Sequence, residues 1–369
     1  MTTRSDVIIV GGGPAGIVAA VAARLKGFTV TVLDARKPPI DKPCGEGILP
    51  QGMAALRELG IHLPAESGFP FRGIQFANQS NCARAEFANA TGFSVRRTKL
   101  HQMLVDQAVA AGVEFRWGTR MNRIEDSQVS TSQESFSYRW LVGADGQNSQ
   151  VRKWAGLEPR TKLSRRFGFC THFRLKPWAD VAQVHWAHGC QIFITPMAGE
   201  EVGVAVISRD PSLRLHNALP RFPGLAKRLR GALQITKESG DSTILRILPG
   251  VARGRTALVG DASGTVDAVT GHGLSLSFQQ AIALADAMKQ NDLESYQQAH
   301  RKIATVPILM TRLMLLMGRS DWIQRRTIRL FENSPSRFAR MLAIHSQAQP
   351  LSSVGLAELA GFGWNFLRA

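Results

Sequence analysis

The sequence predicts an α/β protein with a parallel sheet, a second domain built on an antiparallel sheet, and a helical region at the carboxyl end. Three observations predict it. Short apolar strands ending in glycine and aspartate recur at residues 7–10, 140–142 and 257–259, each followed by a helical stretch, as buried parallel strands do. Between residues 167 and 208 the pattern changes to closely spaced alternating strands. From Leu293 onward the chain is helical in character, basic, and rich in large apolar residues. A chain of 369 residues that is 44% hydrophobic and only 20% charged is too apolar for disorder and long enough for two or three units.

The first element is the β-branched run Val7-Ile8-Ile9-Val10. It passes directly into Gly11-Gly12-Gly13-Pro14-Ala15-Gly16 and then into an Ala-rich helix over residues 17–26. After Gly27 a second apolar strand, residues 28–33, closes on Asp34, eighteen residues beyond Gly16. A G-x-G-x-x-G between strand and helix, with an acid after the next strand, is a dinucleotide fingerprint. Gly11 makes the tight turn, Gly13 lets a pyrophosphate approach the backbone, and Gly16 lets helix and strand pack closely. The helix N-terminus directs free N–H groups at the diphosphate, and Asp34 accepts from the adenosine ribose. At this point the dinucleotide is NAD or FAD.

Two later sites repeat the strand-turn-helix form. One is Gly143-Ala144-Asp145-Gly146, followed by Ser149, Val151 and Arg152; the other is Gly260-Asp261-Ala262-Ser263-Gly264, followed by Gly271-His272-Gly273-Leu274. A carboxylate at such a strand end binds ribityl or ribose hydroxyls, while the next helix faces anionic oxygen. Any one alone is an ordinary Asp-Gly turn; three in one chain point to a common ligand.

With these residues in view, residues 6 to about 290 resemble the flavoprotein family of para-hydroxybenzoate hydroxylase, the geranylgeranyl reductases and the flavin-dependent halogenases. The resemblance implies a Rossmann-like FAD-binding domain, FAD as cofactor and NAD(P)H as transient donor. It implies that Gly11, Gly13, Pro14, Ala15 and Gly16 lie at the diphosphate and that Asp34, Ala35 and Arg36 lie at the adenosine end. Arg97 matches the family arginine on a helix beside FAD. Asp145 belongs to the second fingerprint, and Gly260 and Asp261 to the diphosphate-ribityl region. Gly271, His272, Gly273 and Leu274 correspond to the loop beside the isoalloxazine ring, although Ala268 stands where the family usually has proline. Lys42-Pro43-Cys44-Gly45-Glu46-Gly47 is similar to the reductase segment that lies along the flavin, placing Cys44 and Gly45 there. Gln191-Ile192-Phe193-Ile194-Thr195-Pro196 stands closer to the monooxygenases.

The expected organisation is a discontinuous FAD-binding domain in segments 1–75, 96–160 and 253–292. The substrate domain takes 76–95 and 161–252, and a helical region takes 293–369. Further expected elements are a helix at 98–111, strands at 113–117 and 136–142, and substrate-sheet strands at 167–175, 181–188, 191–195 and 202–208. A helical stretch is expected at 217–233. The carboxyl-terminal helices read as a cap on the FAD domain, or as a surface for anionic lipid, because Arg325, Arg326 and Arg329 flank a Met- and Leu-rich face.

The expected reaction is NAD(P)H- and O₂-dependent hydroxylation of an apolar aromatic or polyketide-like molecule. The rivals are a reductase that saturates isoprenoid double bonds and a non-catalytic flavin-binding partner. No catalytic residue is named. Cys44 reads as a small buried hydrophobe, Glu46 as a turn or surface residue, and His272 either as a donor to flavin or phenolate or as a solvent-facing loop residue. His185 and His188, three apart on a strand, point to opposite faces.

The balance of 45 Lys+Arg against 28 Asp+Glu, +17 overall, favours anionic partners. The arginines are spread without the aromatic-basic interleaving of a nucleic-acid binder, so no nucleic acid is expected. Four scattered cysteines support neither a disulfide scaffold nor a metal site and read as cytoplasmic thiols. No signal peptide and no spanning helix are expected; the apolar run 303–317 is interrupted by Pro307 and Arg312.

Overall fold

The computed structural model describes residues 2–125, 127–159 and 163–353. Residues 354–369, part of the expected helical region, lie outside the described residues.

The first sheet runs in the order Ala252–Arg253, Thr256–Leu258, Ser135–Gly143, Thr2–Val10, Val30–Asp34, Glu114–Trp117. All neighbours are parallel except the edge pair Ala252–Arg253 and Thr256–Leu258. Val7, Ile8 and Ile9 are wholly buried at its centre, as their continuous apolar run requires. A hairpin that the apolar pattern did not signal, Met121–Glu125 with Gln128–Thr131, adds antiparallel to Ser135–Gly143. The helices Pro14–Leu25, Arg97–Ala110 and Gly273–Gln290 pack into the same core; the first is buried on nearly every side.

The chain leaves the central strand Thr2–Val10 toward Val30–Asp34 on one side, and its other neighbour is Ser135–Gly143. The order therefore reverses at the centre, and the crevice beyond the carboxyl ends of these strands is where open α/β sheets bind ligands. The Ala144 N–H donates to the Val10 carbonyl at 2.7 Å, which brings the first and second strand-end turns side by side.

The second sheet follows the order Leu233–Gln234, Leu163–Arg174, Glu201–Ser208, Cys190–Met197, Ala182–Ala187, Gly73–Ala77, Cys82–Glu86, and Ser239–Leu245 also pairs with Leu163–Arg174. It is antiparallel but for one parallel pair, Ala182–Ala187 with Gly73–Ala77. The hairpin Gly73–Ala77/Cys82–Glu86 thus belongs to the second sheet. Gly47–Ile48, Phe69–Phe71 and Gly92–Ser94 form a small third sheet that packs against Cys190–Met197 of the second.

Two expectations are corrected. Residues 217–233 do not form one helix: Leu215–Ala218 and Pro223–Leu229 are separate short helices, and Leu233 is in a strand. Pro220 and Pro223 remove donors and interrupt the first run. The carboxyl-terminal helices do not simply cap the FAD domain. The start of Leu293–Met317 packs on Gly273–Gln290, but Asp321–Asn333 and Pro335–His345 cover the hairpin of the second sheet. There Phe331 and Phe338 join Phe76 and Trp186 in a second core. Leu293–Met317 continues through Pro307 and meets Asp321–Asn333 at a 116° bend. No single helix among the described residues is long and apolar enough to cross a membrane.

Candidate functional site

A single cavity of about 1060 Å³ begins at the glycine turn and ends among the carboxyl-terminal helices. At the first end the glycines differ in what they make room for. A Cβ at Gly11 would lie 2.3 Å from the Ala144 carbonyl oxygen, and one at Gly16 would lie 1.9 Å from the Gly11 carbonyl oxygen. Both positions are closed by the protein's own backbone. A Cβ at Gly13 meets nothing nearer than an Arg97 guanidinium nitrogen at 4.0 Å, so that glycine faces open cavity. Gly13 is also the N-cap of Pro14–Leu25, and no side chain among the described residues caps this helix. Its first N–H groups are left for a ligand anion.

Asp34 ends the second strand, where its carboxylate accepts from the Gly12 N–H at 2.7 Å and the Arg36 N–H at 2.8 Å. Two backbone bonds leave further lone pairs for ribose hydroxyls. Ala35 and Arg36 line the lip of the cavity beside it. The fully buried His101, which sequence reasoning missed, accepts the Ile40 N–H on Nδ1 at 3.4 Å and so donates from Nε2 to the Gly12 carbonyl at 2.8 Å. Burial holds its pKa below the usual histidine range, partly opposed by that bond. Its place on a helix of otherwise ordinary composition gave no signal.

Asp261 faces Lys42, with Nζ 2.8 Å from Oδ2. Burial alone would raise the Asp261 pKa, but the charge and hydrogen bond of Lys42, aided by Arg97 and Arg246, hold it below the usual carboxylate range. Lys42 is correspondingly raised by Asp261. Gly260, at φ +62°, donates its N–H to Gln280 Oε1 at 2.8 Å, and a Cβ there would meet the Ala15 methyl at 2.6 Å. This glycine lets the third strand end close against the first. Arg97 lines the cavity with a buried Nε that has no partner among the described residues, a donor available to an anionic ligand. The open Gly13, the uncapped helix and this orphaned donor together fit a dinucleotide diphosphate.

Asp145 lies on the cavity wall, but its carboxylate is turned toward its own helix. It accepts from the Ser149 hydroxyl, from the Gln150 N–H at 2.6 Å and from the Val151 N–H at 3.2 Å. Gly271 is left-handed at φ +67° and, with Gly273 and Leu274, borders the cavity. His272 does neither thing expected of it: it is buried, with Nε2 donating to the His345 carbonyl at 3.0 Å and its ring 4.2 Å from that of His345. Burial lowers its pKa to about 4.

The segment Lys42–Gly47 contains the largest surprise. Cys44, a half-buried free thiol, and Gly45 line the cavity, and the Gly45 carbonyl accepts from Thr195 Oγ1 at 3.0 Å. Glu46 is no surface turn: it is buried, bonded to His172 Nε2 at 2.6 Å and to the Arg97 N–H at 2.7 Å. A second buried link joins Arg166 of the second sheet to Asp267 before the Gly271–Leu274 loop, through two bonds of which one is 3.0 Å; Gln191 completes it at 2.7 Å. His185 and His188 are indeed apart: the first bonds Gln183, the second Asp321 at the surface.

The far end of the cavity is apolar, lined by Phe76, Val184, Phe193, Met310, Met314 and Phe331. At its mouth Leu313 and Leu316 are 42% and 47% exposed, and Trp322 across the helix bend is 48% exposed. Arg312, Arg319, Arg325 and Arg329 are exposed around them, and Arg326 stacks on Trp322 at 4.6 Å.

The fold and this site define a class, the FAD-dependent oxidoreductases. Residues 4–228 match the model of the FAD binding domain, and the chain belongs to that family. Menaquinone reductase of Mycolicibacterium smegmatis is 24% identical over 329 residues, covering 81% of this chain and 80% of that protein. The putative FAD-dependent monooxygenase YetM of Bacillus subtilis is 26% identical, covering 80% and 88%. A flavoprotein/dehydrogenase from Cytophaga hutchinsonii superposes with a TM-score of 0.81 at 18% identity, covering 92% of each chain. A geranylgeranyl bacteriochlorophyll reductase-like protein from Thermoplasma acidophilum superposes at 0.69 with 20% identity, covering 98% and 96%.

Proposed function

We propose that the protein is an NAD(P)H- and O₂-dependent monooxygenase that hydroxylates an apolar aromatic or polyketide-like molecule carrying a lipid-like tail. One observation carries this reading: the flavin site opens directly into a chamber walled by methionine, leucine and phenylalanine. An apolar chain enters such a chamber favourably, at about 0.8 kcal/mol per buried CH₂, and methionines adapt to its shape. Bound FAD supplies the redox and oxygen chemistry; the protein contributes binding, orientation and dryness. The glycine turn and Asp34 hold the dinucleotide, Lys42 and Asp261 border its middle, and the chamber holds the tail.

We further propose that the substrate reaches the chamber from an anionic membrane surface. The exposed Leu313, Leu316 and Trp322 would insert, and Arg312, Arg319 and Arg325 would meet lipid headgroups.

Saturation of an isoprenoid double bond is the second reading. It is favoured by the Lys42–Gly47 segment and by relatives over most of the chain's length that are named as reductases. One experiment separates the two. The FAD-loaded protein is given NADPH or NADH with long-chain alkylphenols, and separately with a polyprenyl quinone, while oxygen and product mass are followed. Stimulated oxygen uptake and a product 16 Da heavier (one oxygen atom) support hydroxylation. A product that is still 2 Da heavier (two hydrogens) after the quinol ring is reoxidised, formed without oxygen, overturns it in favour of double-bond reduction.

A further inference from the structure

We propose that Glu46, His172 and Thr236 form a proton relay that joins the flavin side of the cavity to the edge of the second sheet. This inference rests on the cavity being the FAD site but not on which substrate it takes, because flavin reduction consumes protons in either reading.

The geometry is directional. Thr171 Oγ1 donates to the Thr236 carbonyl at 2.8 Å, and the His172 N–H donates to Thr236 Oγ1 at 3.0 Å. The Thr236 hydroxyl then has two acceptors in reach, Thr171 Oγ1 at 3.4 Å and His172 Nδ1 at 2.9 Å, and its proton goes to the nearer, Nδ1. With Nδ1 accepting, Nε2 carries the ring proton and donates to Glu46 Oε2 at 2.6 Å. The other Glu46 oxygen accepts from the Arg97 N–H, which fixes the carboxyl group at the cavity wall. Thr236 is half-buried at the far end and within reach of water.

Local structure holds this line in place. On the strand Leu163–Arg174, Gly168, Cys170 and His172 share a face, and the first two line the cavity. Opposite His172 stands Gly203, and the imidazole packs over it at ordinary van der Waals distance, 3.7 Å from where a Cβ would lie. Glu46 itself adopts φ +58°, a left-handed conformation that is costly for a residue with a side chain. A buried carboxylate held in such a conformation against an imidazole from another sheet is more than loop closure needs, since Thr195 already ties Gly45 down.

The step moves one proton and no electron. Thr236 takes a proton from solvent and passes its own to Nδ1; Nε2 passes its proton to Glu46; the Glu46 carboxylic acid delivers it to an acceptor in the cavity. The ring is left in its Nδ1–H form, and the reverse transfer, when reoxidation in the cavity gives the proton back, restores Nε2–H.

The test reads proton uptake, not turnover. The FAD-loaded protein is photoreduced without substrate in weak buffer, and an indicator dye follows the proton. We expect uptake in Glu46→Gln to be slowed at least tenfold, with FAD affinity retained because the amide oxygen still accepts from Arg97. Small weak acids such as formic acid should restore the rate, and imidazole should restore it in His172→Gly. Wild-type uptake rates in Glu46→Gln overturn the relay. So does loss of FAD from that variant without acid rescue, which would make Glu46 a clamp for the loop alone. A wild-type protein that takes no FAD would remove the flavin site and the relay together; normal FAD binding with unslowed uptake removes only the relay.

Discussion

The two ends of the cavity are built by different means. At the cofactor end the walls are backbone: the turn at Gly11, the uncapped helix at Gly13, and the strand ends at Asp34 and Gly260. Each is a few consecutive residues whose conformation is set locally. At the substrate end the walls are side chains drawn from distant segments, Phe76, Val184 and Phe193 from the second sheet and Met310, Met314 and Phe331 from the helices. A backbone site needs particular residue types at fixed spacing and tolerates little. A side-chain chamber needs only apolar volume, which many sequences supply.

The sharpest way to break that comparison is within the glycine turn itself. Gly16→Val should prevent folding or cost upwards of about 4 kcal/mol, because its Cβ falls inside the Gly11 carbonyl and neither backbone can retreat. Gly13→Val should leave the apoprotein melting temperature almost unchanged while FAD affinity drops by a hundredfold or more, since its side chain enters only the ligand's space. Melting curves of both apoproteins, with flavin titration by fluorescence, check this. Equal destabilisation by the two substitutions would mean that the open space at Gly13 is not a ligand site.

Arg166→Met tests the joint between the two ends. It leaves Asp267 buried beside the flavin loop without its cation, and breaking such a pair costs about 3–5 kcal/mol. Chemical denaturation should show that loss. The double variant Arg166→Met with Asp267→Leu should recover much of it, because removing both charges is far less costly than orphaning one.

What the sequence disclosed follows the same division. The glycine turn and Asp34 were legible because each lies within one strand-turn-helix unit; Asp261 shows that pattern too, but its partner Lys42 lies 219 residues away and gave no signal. Asp145 looked the same in sequence, yet its carboxylate is taken by the Ser149 hydroxyl and the next two N–H groups. Spacing cannot tell a ligand-facing acid from a helix cap. Glu46 was misread because its partner His172 lies 126 residues away, and Arg166 was invisible because Asp267 lies 101 residues away. The apolar stripe of the last helices was plain, but a stripe does not say whether it will meet a helix or the hairpin at residues 73–86.

The mouth of the substrate end offers a milder test. If Arg312, Arg319 and Arg325 meet anionic lipid at about 1 kcal/mol each, changing all three to Ser should weaken binding to acidic vesicles by about a hundredfold. Raising the salt should mimic the change, and neutral vesicles should bind both proteins weakly. Co-sedimentation at two salt concentrations reads the outcome. A wild-type protein that stays in the supernatant with acidic vesicles removes the membrane from the proposal.

The smallest effect expected lies where the two ends meet. His272 leads into the helix that begins at Gly273, on the cofactor side; His345 ends the last long helix, on the substrate side; and the two rings are packed together out of water. Burial pushes His272 down to about 4; His345 is lowered by burial and then by His272. The unfolded chain, with ordinary histidines near 6.5, therefore binds protons that the folded chain refuses. Stability should be full above about pH 6.5 and fall as the pH drops toward 4, by at most about 1.4 kcal/mol per pH unit for each such histidine. His185 and His300, also lowered by burial to about 4, contribute the same sign, so one substitution removes only part of the slope. His272→Gln keeps a donor for the His345 carbonyl and has nothing to titrate. Its melting temperature should lose less than that of the wild type between pH 7 and pH 5, while the two proteins differ little at pH 7.5. If the slopes are the same, the His272–His345 contact opens to water in solution, and the join between cofactor loop and substrate helices is looser than the packing of these rings implies.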